Sequence, residues 1–155
     1  MMEHKKPVRK KRKRRVKEPL TENLLQDLLD APSPVKFAAK HKLLERDVPS
    51  YLQQLLDERG LKRSQVVRDA GLNATHGYQI FTGQRGASRD KLLQLALTMK
   101  LTLRETNRLL RAGGHSELYC KCRRDAIIIF CISHGESLQR TDEELYRFKE
   151  QTICS

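Results

Sequence analysis

The chain has 155 residues, with 31 Lys and Arg against 19 Asp and Glu, for a net charge of +12. Hydrophobic residues make up 38% and aromatics 5%, with no Trp, which suits one small helical core of Leu, Ile, Val and Ala with extensions. No apolar run reaches the roughly 18 residues of a membrane span, and the basic start is not followed by the apolar segment of a secretory signal. Four Cys without such a signal imply free thiols in a reducing compartment, so the expected location is cytoplasmic and no membrane partner is expected.

The charge is unevenly placed. Residues 1–17 hold ten Lys and Arg against one Glu. Residues 50–113 hold 11 basic and 5 acidic residues, a net +6, while the segments on either side are slightly acidic. Basicity concentrated on one folded segment favours a polyanionic partner over simple solubility. The first 19 residues cannot bury a core and read as a disordered basic arm. Such an arm adds affinity for phosphates without reading sequence. Its plainer reading is a solubilising tail.

Leu20 to Asp30 is amphipathic, with Leu20, Leu24, Leu25, Leu28 and Leu29 at helical spacing and Thr21 as cap. Ala31-Pro32 ends it. Ser33 then caps a short helix opened by Pro34 and running to about His41. This pair spans 20–46, and its Leu stripe is expected to serve packing. Val48 to Arg59 carries a core stripe of Val48, Tyr51, Leu52, Leu55 and Leu56, and Gly60 ends it. Val66, Val67 and Ala70 give the next short helix an apolar face, and Gly71 can take the left-handed conformation that closes it. Asn73 is a good N-cap for a second segment, Ala74 to Thr82, with Ile80 and Phe81 inward and Gly83 at its end. Two short helices joined by a turn containing Gly form a helix-turn-helix pattern. Ser88 caps a helix with Leu92, Leu93, Ala96 and Leu97 inward. Thr102 and Glu105 form a capping box before Leu103, Leu109 and Leu110, and Gly113-Gly114 ends that helix.

Residues 48 to about 113 resemble the Cro/C1-type, lambda-repressor-like helix-turn-helix family. The resemblance rests on the ordered set Gly60-Leu61, Val66-Val67, Ala70-Gly71-Leu72, Ile80-Phe81, Gly83, Arg85, Ser88 and Leu92 to Ala96. It covers somewhat under half of the chain. The sequence departs from the family pattern at Lys62 and Arg63, where a small hydroxyl residue and Gln are usual. It departs again at Ala87 in place of Pro, and at Gly77 in place of a large apolar residue. The resemblance implies an all-α, five-helix DNA-binding domain over 47–113 and a bacterial or phage transcription regulator bound at the nucleoid. It also implies binding as a dimer to near-palindromic sites.

The remaining segment, 114–155, reads as a C-terminal helical hairpin. Residues 90–110 and 125–145 align without gaps at a spacing of 35. The alignment pairs Asp90 with Asp125, Leu92-Leu93 with Ile127-Ile128, Ala96 with Cys131, Thr102 with Ser137, and Leu110 with Leu145. The tail therefore copies the last helix pair of the domain and is expected to stack on its end. Within it, Ala126 to Ile132 is continuously apolar and β-branched, so helix and strand compete; the repeat favours helix. A helix apolar all round needs cover on more than one side, from the N-terminal helices or a second copy. Ile127 to Ile132 is the expected surface of a homodimer.

On a helical wheel, Gly77, Ile80 and Phe81 share one face of the Ala74–Thr82 helix, and Thr75, Tyr78, Gln79 and Thr82 fall opposite. Gln can bond adenine bidentately in the major groove and Thr can touch a thymine methyl. The N-terminal residues of a recognition helix usually reach base edges. The expected DNA-reading residues are Ala74, Thr75, Tyr78, Gln79 and Thr82, with Arg63, Arg85 and Arg89 on phosphates. His76 sits at the edge of the face. His115, Cys120, Cys122, Cys131 and His134 do not follow a common zinc spacing, and a buried Cys131 is the plainer reading. No catalytic motif appears, so no enzyme activity, metal or cofactor is expected. The alternative function is a helical protein-interaction adaptor with the helix-turn-helix as scaffold and non-specific nucleic-acid binding by the arm.

Overall fold

A computed structural model describes residues 21–40 and 47–154. The basic arm, Leu20 and His41 lie outside the described residues. The elements are α1 (Thr21–Asp30), α2 (Pro34–Lys40), α3 (Val48–Arg59), α4 (Arg63–Asp69), α5 (Ala74–Thr82), α6 (Arg89–Thr98), α7 (Leu103–Ala112), α8 (Arg123–Ser133) and α9 (Leu138–Arg147). All regular structure among the described residues is helical, as the apolar periodicity requires. These helices fall into two compact units, α1 with α2 and α3 to α9.

In the first unit the leucine stripe of α1 does not serve the packing expected of it. Leu25, Leu28 and Leu29 are 55%, 44% and 69% exposed. The seven residues of α2 are fewer than the ten of α1 and leave these leucines uncovered within this unit.

In the second unit the helix ends follow local chemistry. Asp47 caps α3 by accepting from the Ser50 amide, and Gly60 closes it in the left-handed conformation at φ 62°. Ser88 caps α6, and Thr102 with Glu105 makes the full capping box of α7. Each such cap contributes about 1 kcal/mol. Glu105 has a second role, because Arg59 donates to it at 2.6 Å and so ties the end of α3 to the start of α7. Tyr51, Leu52, Leu55 and Leu56 of α3 enter one core with Val66, Val67, Ile80, Phe81, the inward face of α6, and Leu109 and Leu110.

The segment Ala126 to Ile132 is helical, inside α8. Ile128, Cys131 and Ile132, spaced three and four apart, are buried. These three make up half of the expected dimer surface, Ile127 to Ile132, and are covered within this unit; Phe130 alone of the run is more than half exposed, at 59%.

The repeat is more extensive than its sequence alignment. Arg89 Nε donates to the Ser116 carbonyl, and 35 residues on Arg124 Nε donates to the Gln151 carbonyl. The Leu118 amide donates to Asn107, and the Ile153 amide to Asp142. Thr98 and Ser133 each donate to the carbonyl four residues back. Lys100 and Gly135 both turn with positive φ, 55° and 65°.

The two copies do not stack end to end as expected. Arg89 pairs with Asp125 at 2.9 Å, and Arg124 pairs with Asp90 at 3.0 Å. Arg89 is equivalent to Arg124 and Asp90 to Asp125, so each copy gives the same two residues to the other. Lys100 Nζ likewise donates to the carbonyl of its own equivalent, Gly135. Reciprocal contacts mark a two-fold relation, whereas a stack would pair Arg124 with a residue 35 beyond Asp125. The arrangement is closed: α6–α7 and α8–α9 complete each other.

Candidate nucleic-acid interface

The unit around α4 and α5 is built by close approach. A Cβ on Gly77 would lie 2.4 Å from Val67 Cγ1, so the two helices pack closer than any other residue at 77 would permit without a shift. Asn73 then fixes the start of α5, its Oδ1 accepting from the Thr75 amide at 2.9 Å and the His76 amide at 3.2 Å. Gly83 closes the helix at φ 80°. With Gly77, Ile80 and Phe81 buried, the other face has to point to solvent.

That outer face carries Ala74, Thr75, Tyr78 and Thr82, all exposed, and Gln79, half-buried. Thr75, Tyr78 and Thr82 stand three and seven residues apart and form one ridge. The Thr82 hydroxyl is turned back onto the helix, donating to the Tyr78 carbonyl at 3.0 Å. Its methyl is therefore the part left to meet a groove. The Thr75 hydroxyl and the Gln79 amide are the polar groups of the ridge that remain for base edges.

Two basic flanks border the ridge. On one side the Arg63 guanidinium lies over the Tyr78 ring, 4.8 Å from its centroid. On the other, His76 has its imidazole held below the usual histidine range, first by burial and then by the charges of Lys91 and Arg85. Residues 76 and 78 lie about 160° apart on a helix of 100° per residue, so these flanks are on opposite sides of α5. Arg85 is brought in by its own backbone, whose amide donates to the Gln79 carbonyl at 3.2 Å. Lys91 was not foreseen as part of this border; its only signal was its place on the first turn of α6, next to a cap.

Arg89 is the expected phosphate ligand that the structure redirects. Its guanidinium is bidentate to Asp125, and it also donates to the carbonyls of Ser116 and Glu117. All three of its nitrogens thus donate within this unit, to Asp125 of α8 and to the segment leading into it, and the pairing with Asp125 raises its pKa further. Asp125 is 5% exposed; burial pulls its carboxyl up, but the bonds from Arg89 and the Tyr119 amide outweigh this and leave it below the usual range.

The Cys and His residues are dispersed. His115 bonds the Ala87 carbonyl at 2.8 Å, His134 stacks on Phe130, and Cys131 is buried beside Thr141, its thiol pushed up by burial. No group of three His, Cys, Asp or Glu among the described residues could hold a metal. A shallow groove lies along α3, lined by Gln53, Gln54, Asp57, Glu58 and Phe81; its two carboxylates make it unsuited to a polyanion. No helix among the described residues is long and apolar enough to cross a membrane.

In comparisons with family models, curated proteins and solved structures, nothing matches this chain.

Proposed function

We propose that the chain binds duplex DNA sequence-specifically as a transcription regulator of the Cro/C1, lambda-repressor-like type, at the nucleoid of a bacterial or phage-infected cell. The observation that carries this reading is the exposed ridge of α5 between two basic flanks. A ridge of small polar side chains suits the floor of a major groove, and cations on either side suit the two phosphate strands that border it. Thr75 and Gln79 read base edges, and the Thr82 methyl makes apolar contact. Arg63, Arg85 and Lys91 hold phosphates, and the basic arm adds non-specific affinity.

Binding sites selected by the full-length chain from a random duplex library test this reading. The wild-type chain enriches a motif at moderate salt, and a Thr75→Ala/Gln79→Ala variant relaxes or loses it. Losing one bidentate contact reduces discrimination by about 1–3 kcal/mol. A two-fold symmetric motif would support a homodimer through the C-terminal hairpin, where Phe130, Tyr146 and Phe148 are exposed.

The same exposed aromatics, with Leu25, Leu28 and Leu29 of α1, favour a second reading as a protein-interaction adaptor. That reading is preferred if no motif is enriched and duplex binding depends only on the arm.

A further inference from the structure

We infer that Tyr78 is a shelf for Arg63: its ring holds the guanidinium in position to grip a DNA phosphate, so Tyr78 is a positioning residue and not a reader of base edges. The inference rests on the DNA-binding reading above and assigns a partner within that site.

Three observations carry it. The first is the cation–π contact itself, with the guanidinium carbon over the ring and 4.8 Å from its centroid. A cation over a ring face is attracted by the ring quadrupole. A contact with a ring face uses none of the guanidinium's N–H donors on an acceptor atom, so they can still fork onto phosphate oxygens.

The second is the state of those donors. Several arginines of this unit are tied down: Arg59 to Glu105, Arg89 to Asp125, Arg111 to Glu117 and Arg124 to Asp90. Arg63 has no carboxylate or hydrogen-bond partner among the described residues, and the Tyr78 ring is its one contact of this kind. A guanidinium held in place with its donors free is prepared for an anion.

The third is where Tyr78 points. Taking Thr75 as the middle of the outer face, Gln79 and Thr82 lie within about 40° of it, whereas Tyr78 lies about 60° to one side. From there the side chain faces the flank, where the strand backbone would pass. Tyr78 is 46% exposed and one face of its ring is already covered by Arg63.

The test uses the full-length chain, a mixed-sequence DNA duplex and binding measured across a range of salt. Arg63→Ala is expected to lower the slope of log affinity against log salt by about 0.9, the loss of one phosphate contact. Tyr78→Ala is expected to weaken binding about two- to fivefold, as for an exposed cation–π contact. Tyr78→Phe keeps the ring and is expected to bind as the wild type does. In an Arg63→Ala background, Tyr78→Ala is expected to do nothing further. All these variants should enrich the wild-type motif, since a phosphate contact carries no sequence information. Thermal melts of each variant separate lost contacts from lost folding.

Loss of affinity in Tyr78→Phe, or a motif relaxed at one position by Tyr78→Ala, would overturn the inference and make Tyr78 a reader. Additive effects of Arg63→Ala and Tyr78→Ala would also overturn it, because the two would then act separately. In either case the DNA reading survives if Thr75→Ala/Gln79→Ala still changes the motif. If the wild-type chain enriches nothing and Arg63→Ala leaves the slope unchanged, both the inference and the reading fall.

Discussion

Residue 77 shows how much a single position can decide. Alanine is a better helix former than glycine by about 1 kcal/mol. At 77, however, its Cβ would meet Val67 Cγ1 at 2.4 Å and Cγ2 at 2.8 Å. Overpacking of that kind costs about 1–3 kcal/mol. Gly77→Ala is therefore expected to destabilise the chain in urea denaturation. With Val67→Ala in place both clashing methyls are gone, and the nearest remaining atom is Cβ at 3.1 Å. The same Gly77→Ala change should then be neutral or stabilising. A change of sign between the two backgrounds identifies close α4–α5 packing as the reason for glycine. Equal effects in both would mean that the helices do not meet as described.

Among the elements, α5 and the hairpin pair are held by opposite means. The start of α5 depends on a local group, Asn73, so Asn73→Ala should cost about 1 kcal/mol in denaturation while Asn73→Asp keeps the cap. The hairpin pair depends on Asp125, whose partner Arg89 lies on another helix. Asp125→Asn leaves that guanidinium partly buried without its counter-charge, at an expected cost of about 2–4 kcal/mol. The pH dependence follows. The Asp125 carboxyl titrates lower in the folded chain than the roughly 3.9 of an unfolded aspartate. Its contribution is complete above that value and is lost as pH falls through the lower, folded one. The asparagine variant should therefore be less stable at neutral pH and should lose less on acidification, measured as the midpoint of urea unfolding against pH.

This contrast also explains what could be read beforehand. The end of α3 and both bounds of α5 were legible because their signals, Gly60, Asn73 and Gly83, act on backbone within a turn of themselves, whereas the Asp47 cap of α3 was seen only in the structure. The helical state of Ala126–Ile132 followed only from the repeat, since its composition suits strand equally. The role of Arg89 was hidden because its partner is 36 residues away in sequence, and an arginine near a helix-turn-helix looks the same whether it meets a phosphate or a carboxylate. The stripe on α1 misled because periodicity identifies an apolar face but not what covers it. The repeat itself was visible, but a spacing of 35 is common to a stack and to a two-fold pair. Only the reciprocal ion pairs distinguish them.

At the scale of the whole second unit, the closed pairing predicts one cooperative structure, and Cys131 offers a probe of it. Its side chain is 1% exposed in the second hairpin, whereas Cys120, Cys122 and Cys154 are exposed. With those three replaced by Ser, modification of the remaining thiol reports the opening of α8. If the second hairpin frays by itself, Cys131 should react with an opening free energy below that of global unfolding. That energy would also not respond to changes in the first bundle. If the hairpins complete each other, the two free energies should agree. Leu55→Ala, deep in α3 and outside both hairpins, is then the decisive variant: burial of Leu55 to 1% exposure implies a loss of about 2–5 kcal/mol. Protection of Cys131 should fall by the same amount as global stability. Continuity of the core makes this the expected result, because Leu55, Leu92, Leu109, Ile128 and Leu145 belong to one buried cluster. Opening α8 would strip Asp125 from Arg89 and Arg124 from Asp90 together, leaving charges on α6 without partners beside the helices that carry α5. The second hairpin thus belongs to the scaffold that holds the ridge, and a chain shortened before α8 is expected to lose the ridge along with it.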